Sequence, residues 1–577
     1  MKKKVLPALI VTGLIILVVI IMGITALINK YTPTKKTEDL KEYFNISSDD
    51  EAALIVDNEL SDYKAKIIDD KVYVDYRFVH DSLNSRFYWD ANENVLLYTT
   101  ASDIISAAAD SNSYSVTKQT NDFGYPIVKA TSDSALIALD YVKQYSNITF
   151  KSYDDPARVV ITSKWDEIDS ATVSKSTQVR VKGGIKSPIL KQVKKNDTLT
   201  ILDSGDKWDK VATEDGIIGY IKSKAMSESK KTKLTNPDYE EETFTHIKKD
   251  KDICLAWNQV TSRSANSKVA QVISSTKGIN VMSPTWFYLN DNNGNLADIA
   301  SKDYVSYCHS QGIEVWGLFS NFENTDVDAA YVLTHTSTRT TLINQIMSAA
   351  FNYELDGVNI DFENITEAAY GDSYIEFIRE LAIKCHNNGI SLSVDVTVPA
   401  SFNKFFNRSD MANFADYIVI MGYDEHYKGS DAGSVASIPW VTEGVEATLK
   451  EVPADQIILG MPFYTRIWEL TPKEDDDAVT DTEDQSKYTV ASQVYGMDAA
   501  AAQLATNNAT ASLDEESGQN YAEWSASNKL YKVWLEDSTS LEKRLKLVDD
   551  NKLAGAAFWK LGFENSSVWD TVIKYLD

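Results

Sequence analysis

The stretch Asp356-Gly-Val-Asn-Ile-Asp-Phe-Glu363 decides how this chain is read. Alternate side chains of a strand share a face. Asn359, Asp361 and Glu363 therefore point one way, and Val358, Ile360 and Phe362 the other. Burying a carboxylate is costly unless it is paired or used, so a run that closes on two carboxyls while its other face is apolar is not an ordinary core strand. Paired carboxyls at the carboxyl end of a strand are what acid-assisted glycoside cleavage requires. The plainer alternative is a strand whose acids merely face solvent. Asp356 has the parity opposite to Asn359 and reads as structural, at the strand entrance.

Outward from this stretch, residues 240 to 577 alternate apolar strand-like runs with helical ones, the pattern of a parallel α/β architecture. The strand candidates are Ile253–Trp257, Asn280–Tyr288, Glu314–Phe319, Gly357–Phe362, Ser391–Val398, Tyr417–Tyr423, Ile457–Tyr464 and Ala554–Leu561. Eight such units predict a (β/α)8 TIM barrel with its active site at the carboxyl ends of the strands. Helices are predicted on either side of the key strand. Thr338–Tyr353 carries Leu342, Ile343, Ile346 and Ala349–Ala350 at helical spacing, and Ser373–His386 carries Ile375, Ile378, Leu381, Ala382 and Cys385.

Four elements resemble glycoside hydrolase family 18. The opening stretch is similar to its D-x-x-D-x-D-x-E signature, with Asn359 where the chitinases carry their second Asp. Met421-Gly-Tyr-Asp424 resembles its M-x-Y-D element, Gly460-Met-Pro-Phe-Tyr-Thr-Arg466 its G-x-P-x-Y-x-R stretch, and Ala556-Ala-Phe-Trp559 its last strand. Within the family, Asn359, the stretch Trp534–Ser540 and the ending Leu553–Glu564 look most like bacterial spore-cortex and cell-wall N-acetylglucosaminidases.

The resemblance implies a mechanism and a set of roles. Glu363 would protonate the glycosidic oxygen, and the substrate's own acetamido carbonyl would attack the anomeric carbon. Asp361 would orient the acetamide N–H and stabilise the developing positive charge, and Tyr423 would hydrogen-bond the acetamide oxygen. Asn359, Asp424, Tyr464 and Arg466 would shape the substrate pocket, and Trp559 would form its apolar floor. No cofactor and no metal is expected. Because a neutral amide at position 359 removes a like charge, Asp361 is expected to stay ionised, held by the Asn359 amide. No long aromatic track of the kind many chitinases display is legible.

The remaining sequence sets location and company. Lys2, Lys3 and Lys4 precede an uncharged apolar run, Val5–Asn29, closed by Lys30. Its length suits a bilayer-spanning helix better than a signal peptide's shorter core, although a cleaved signal is the alternative. The basic amino end should stay in the cytoplasm, with the body outside at the bacterial surface. Residues 1–30 form this anchor and 31–48 a linker. Residues 49–165 form an α+β module that resembles the copper amine oxidase N-terminal-like domain, on Val72–Val79, Phe87–Ala91 and Val95–Tyr98. Residues 170–227 resemble a bacterial SH3 domain, a small β-barrel that either binds wall peptides or serves as a spacer. Residues 228–239 read as a linker into the barrel.

Formal charge is −27, which argues against nucleic-acid binding. Cys254, Cys308 and Cys385 lie in apolar surroundings and read as core residues, without disulfide or metal-ligand spacing. His426 reads as a rim residue. The acidic segment between Trp468 and Tyr531, including Glu474-Asp-Asp-Asp477, reads as a solvated excursion beside the cleft. The expected activity is hydrolysis of β-linked N-acetylglucosamine polysaccharide, with peptidoglycan foremost. The alternatives are a chitin-oligomer or N-glycan hydrolase, and a non-hydrolytic glycan-binding barrel.

Overall fold

A computed structural model describes residues 5–363, 365, 368–473 and 484–576. The Glu474–Asp477 run and Lys2–Lys4 lie outside the described residues. The chain divides into an amino-terminal unit (residues 1–89, 107–114 and 120–241) and a barrel unit (residues 90–106, 115–119 and 242–577). The stretch expected as one α+β module is therefore shared between them. In the barrel unit, Thr99 Oγ1 donates to the buried Glu376 carboxylate at 2.8 Å.

The amino-terminal unit begins with α1 (Val5–Tyr31), whose apolar side chains from Leu9 to Ile28 are exposed. It is long and apolar enough to cross a membrane. A mixed seven-stranded sheet follows, in which Glu51–Val56 pairs parallel with Arg158–Thr162 and antiparallel with Glu59–Ile68. A second seven-stranded sheet is antiparallel and runs from Ile189–Val193 at one edge to Lys230–Lys233 at the other. Both expected linkers contribute structure. Lys230–Lys233 pairs with Glu167–Thr172, and Phe44 is wholly buried against Ala53, Val179 and Val211.

Eight parallel strands form the barrel: β1 (Ile253–Asn258), β2 (Val281–Leu289), β3 (Glu314–Ser320), β4 (Gly357–Asp361), β5 (Ser391–Thr397), β6 (Tyr417–Met421), β7 (Ile457–Pro462) and β8 (Gly555–Trp559). Each pairs with its neighbours in chain order, and β8 returns to β1, so no barrel edge remains. The predicted helices are present as α2 (Thr336–Tyr353) and α3 (Ala368–His386).

The alternation read in β4 divides two cores. Val358, Ile360 and Phe362 are buried in a layer with Leu342, Ile346, Ile378 and Leu381 of the flanking helices. Inside the barrel, Leu255, Trp257, Trp316, Leu318, Tyr417 and Val419 pack together. Gly357 is required there, because a Cβ would lie 2.5 Å from the Trp316 indole. Asp356 is structural as expected: it accepts from Val315 N and contacts His309 Nε2, both at 2.8 Å. All three cysteines are buried and unpaired.

Two boundaries differ from expectation. β6 ends at Met421, so Tyr423 and Asp424 stand on the loop above it, where Asp424 takes a left-handed φ of 62°. The described parts of the segment expected as a solvated excursion instead contribute to a five-stranded antiparallel sheet, including Tyr464–Pro472, Tyr488–Gly496 and Lys529–Leu535. Its β-branched and aromatic residues pair across strands, and the Ala-rich run forms a helix, Met497–Thr506.

Candidate active site

Because β4 ends at Asp361, Glu363 stands just beyond the strand. Both carboxyls reach a cavity of about 600 Å3 at the carboxyl end of the barrel. That volume lies within the usual range for a small-ligand pocket. Tyr423, Asp424, Tyr464 and Trp559 line the same cavity, so the structure gathers six of the eight expected site residues into one wall. The Glu363 backbone N–H donates to Asn321 Oδ1 at 3.1 Å, which holds the backbone that presents its side chain. Trp559 meets Trp257 edge to face, with ring centres 6.0 Å apart. Tyr464 Oη donates to Asp424 Oδ1 at 2.6 Å. Burial keeps the Tyr423 hydroxyl far above its ordinary pKa, with nearby carboxylates adding to the shift. It therefore stays a neutral donor.

Asn359 and Arg466 stand behind that wall. Arg466 Nη2 reaches Asp424 Oδ1 at 3.5 Å and so supports the loop carrying it. Asn359 is wholly buried beneath the cavity. Its Nδ2 donates to Ser393 Oγ and Asp395 Oδ1 at 3.0 and 2.7 Å, while its Oδ1 accepts from Trp257 Nε1 and Ser283 Oγ at 3.0 and 2.9 Å. Every hydrogen-bonding position of the amide is filled, and none of these partners is Asp361. The expectation that Asn359 holds Asp361 is corrected by this geometry.

The expectation that Asp361 remains ionised is opposed by its surroundings. The like charge that Asn359 removes from β4 is restored by Asp395 on β5. Burial and then the Asp395 charge push the Asp361 carboxyl well above the ordinary carboxylate range. Asp395 was legible as an inward residue, since it shares parity with Ser391 and Ser393 on the predicted strand. Its pairing with the end of β4 required the register between strands.

Glu323 is a second carboxylate that pattern reading missed, because it lies on the loop after β3. Ser320 Oγ stands 2.6 and 2.7 Å from its two oxygens. Glu363 is exposed to the cavity, yet its pKa is raised first by desolvation in the surrounding cleft, then by the charges of Asp424 and Glu323. An acid catalyst with a raised pKa keeps its proton to higher pH, so activity is retained further up the alkaline limb. Glu323→Gln removes one like charge and lowers the Glu363 pKa. The alkaline limb of kcat/KM should therefore move to lower pH, and added salt should shrink the difference because Glu323 is exposed. An unchanged or upward-moving limb would show that Glu323 does not act on Glu363.

The cavity rim also carries aromatic side chains that no sequence track announced. Phe322 lies on the loop after β3, Phe402 on the 3-10 helix Ser401–Phe406 after β5 and Tyr427 on the loop after β6. All three are exposed and line the cavity. His426, expected at the rim, is not among the residues lining the cavity; its Nδ1 lies 2.8 Å from Ser434 O. Among the described residues, no group of three or more His, Cys, Asp and Glu side chains is placed to hold a metal ion.

Residues 217–564 match the description Glycosyl hydrolases family 18. The chain is 23% identical over 346 residues to the uncharacterized glycosylase YvbX of Bacillus subtilis, covering 56% of this chain and 95% of that protein. It is 24% identical over 287 residues to the cortical fragment-lytic enzyme of Bacillus subtilis, covering 48% of this chain but only 63% of that protein. Of the putative sporulation-specific glycosylase YdhD it spans about half, 52%, at 26% identity and with 40% of this chain. The C-terminal domain of a putative chitinase from Desulfitobacterium hafniense shares the fold, with a TM-score of 0.50 and 19% identity over 57% of this chain and all of that domain.

Proposed function

The chain belongs to glycosyl hydrolase family 18, and on that basis we propose that it hydrolyses β-N-acetylglucosaminyl bonds in peptidoglycan from the outer side of the membrane. The observation that carries this reading is the convergence of Asp361, Glu363 and Tyr423 on one cavity bounded by the Trp559 indole. Glu363 gives its proton to the glycosidic oxygen as the bond breaks. The acetamido carbonyl of the sugar attacks the anomeric carbon, so that no enzyme carboxylate becomes the nucleophile. Asp361 faces the acetamide nitrogen and the growing positive charge. Tyr423 donates to the acetamide oxygen, and Asp424, braced by Tyr464 and Arg466, shapes that end of the pocket. Glu363, now ionised, takes a proton from water and completes hydrolysis with retention. None of these steps uses a cofactor.

Peptidoglycan is favoured over chitin oligomers because relatives of this chain are named cortical fragment-lytic enzymes and a sporulation-specific glycosylase. In this reading α1 spans the membrane with its basic end inside. Residues 49–165 and 170–227, whose sequences resemble copper amine oxidase N-terminal-like and SH3-like modules, then act as spacers. Tethering of this kind replaces diffusion with a high effective concentration of wall glycan.

The aromatic rim supports cleavage within chains. In strand order, Phe322 precedes Glu363 and Phe402 and Tyr427 follow it, so sugar faces can stack on both sides of the acid. Mass spectrometry of products from purified peptidoglycan and from chitin oligomers tests the reading. Internal cleavage of peptidoglycan, with long intermediate products, is expected. Joint replacement of Phe402 and Tyr427 by Ala should lower kcat/KM about tenfold on long glycans, the worth of about 1.4 kcal/mol of lost stacking, and far less on a disaccharide substrate. Release of terminal single sugars only, or equal losses on long and short substrates, would overturn the two-sided cleft.

A further inference from the structure

Asn359 is locked in one orientation, and that orientation has a chemical consequence. The Trp257 indole N–H can only donate, so the amide end 3.0 Å from it is the carbonyl oxygen. The NH2 end must then face Asp395, at 2.7 Å. In the parallel register of β4 and β5, Asn359 stands opposite Ser393 and Ile360 opposite Val394. One step further, Asp361 stands beside Asp395, on strands about 4.8 Å apart. Asp361 is 6% exposed and Asp395 3%. Asp361 Oδ1 is buried without a hydrogen-bond partner. Two carboxyls so placed are costly to ionise together.

We propose that Asp361 and Asp395 hold one proton between them, making Asp395 a positioning residue that sets the charge of Asp361. The proposal rests on the reading in which Asp361 serves the acetamide. At rest the proton sits on Asp361, because the Asn359 amide hydrogen-bonds Asp395 and favours its ionised form. As positive charge develops on the cyclising sugar, the proton passes from an Asp361 oxygen to an Asp395 oxygen. Charge moves the opposite way, leaving a carboxylate at Asp361 beside the cation. The pair keeps one proton and one negative charge throughout, so no outside donor enters.

Among the described residues, the groups that face the pair do not supply a competing cation. Glu363 follows on the same segment, Glu323 faces Asp361 from the loop after β3, Tyr423 from the loop after β6 and Tyr374 from α3. Burial holds both phenols in the neutral form, while the acids oppose a second ionisation within the pair. These directions agree with the geometry, and the pair titrates as a unit.

Infrared difference spectroscopy tests the proposal without turnover. In a Glu363→Gln background, which removes the signal of that acid, the carbonyl stretch of a buried neutral carboxyl should be present at neutral pH. It should vanish on adding either Asp361→Asn or Asp395→Asn. Absence of the band from the background, or its survival in either double variant, would overturn shared protonation. If Asp395→Asn does not fold by near-ultraviolet circular dichroism, the Asp361→Asn comparison still decides. In the otherwise wild-type enzyme, Asp395→Asn should lower kcat at least about tenfold while KM changes little, the mark of an interaction made in the transition state. Failure of the wild type to cleave 2-acetamido sugars would instead defeat the functional reading and leave the infrared result standing.

Discussion

Glu363→Gln is expected to lower kcat on unactivated substrates by at least about a hundredfold, the low end of general acid catalysis. Gln keeps the size of Glu and fills the same part of the cavity, but has no acidic proton to give. Folding and glycan binding should therefore survive, and the loss should fall on kcat while KM holds. A substrate with a good leaving group needs less protonation, so its bond cleavage should suffer less than that of a natural glycan. Steady-state kinetics on both substrates check this. Full activity of the variant on unactivated glycan would place the acid elsewhere in the cavity.

Asp361→Ala should cost at least about a hundredfold in affinity for a thiazoline that mimics the bicyclic intermediate, since truncating one partner of a buried charge interaction costs about 2–5 kcal/mol. The wild-type enzyme should bind the thiazoline far more tightly than substrate, because the pocket is complementary to the species formed on the reaction path. Competition assays and calorimetry measure both quantities. Glucosides, which lack the 2-acetamido group, should be cleaved negligibly. A covalent glycosyl ester on Asp361, or comparable cleavage of glucosides, would sink substrate assistance even though the barrel stands. The Asp361–Asp395 pair gives this test its physical basis: Asp361 carries its charge when the cation forms, and a mimic of the cation reports that charge.

The expectation that Asn359 holds Asp361 failed for a geometric reason. Parity along β4 correctly turned Asn359, Asp361 and Glu363 inward, and from there the amide was read as the partner of the acid two residues on. On one strand, however, residues i and i+2 are about 7 Å apart, whereas a neighbour across a parallel pair is closer. Asn359 therefore bonds sideways to Ser393 and Asp395 on β5, and across the barrel interior to Trp257 on β1. Tyr464 and Arg466 illustrate the same limit. Their motif marks them for the site, yet only the fold shows that both turn to Asp424 rather than forming separate contacts.

Sequence by itself determined the eight strand-like runs, the inward carboxyls at the end of the fourth, the apolar helix at the amino terminus and the chemical class. These follow from periodicity, from the cost of burying charge and from short motifs, all written locally along the chain. Only the tertiary structure decided that Asp395 restores the charge which Asn359 removes. The same holds for Glu323 at the acid, for the cleft walls of Phe322, Phe402 and Tyr427, and for the sheet that replaces the expected excursion between Trp468 and Tyr531. Each of these depends on strand register or on loops converging from distant segments. A single sequence carries no term for such distances, whereas closing the barrel fixes them all at once.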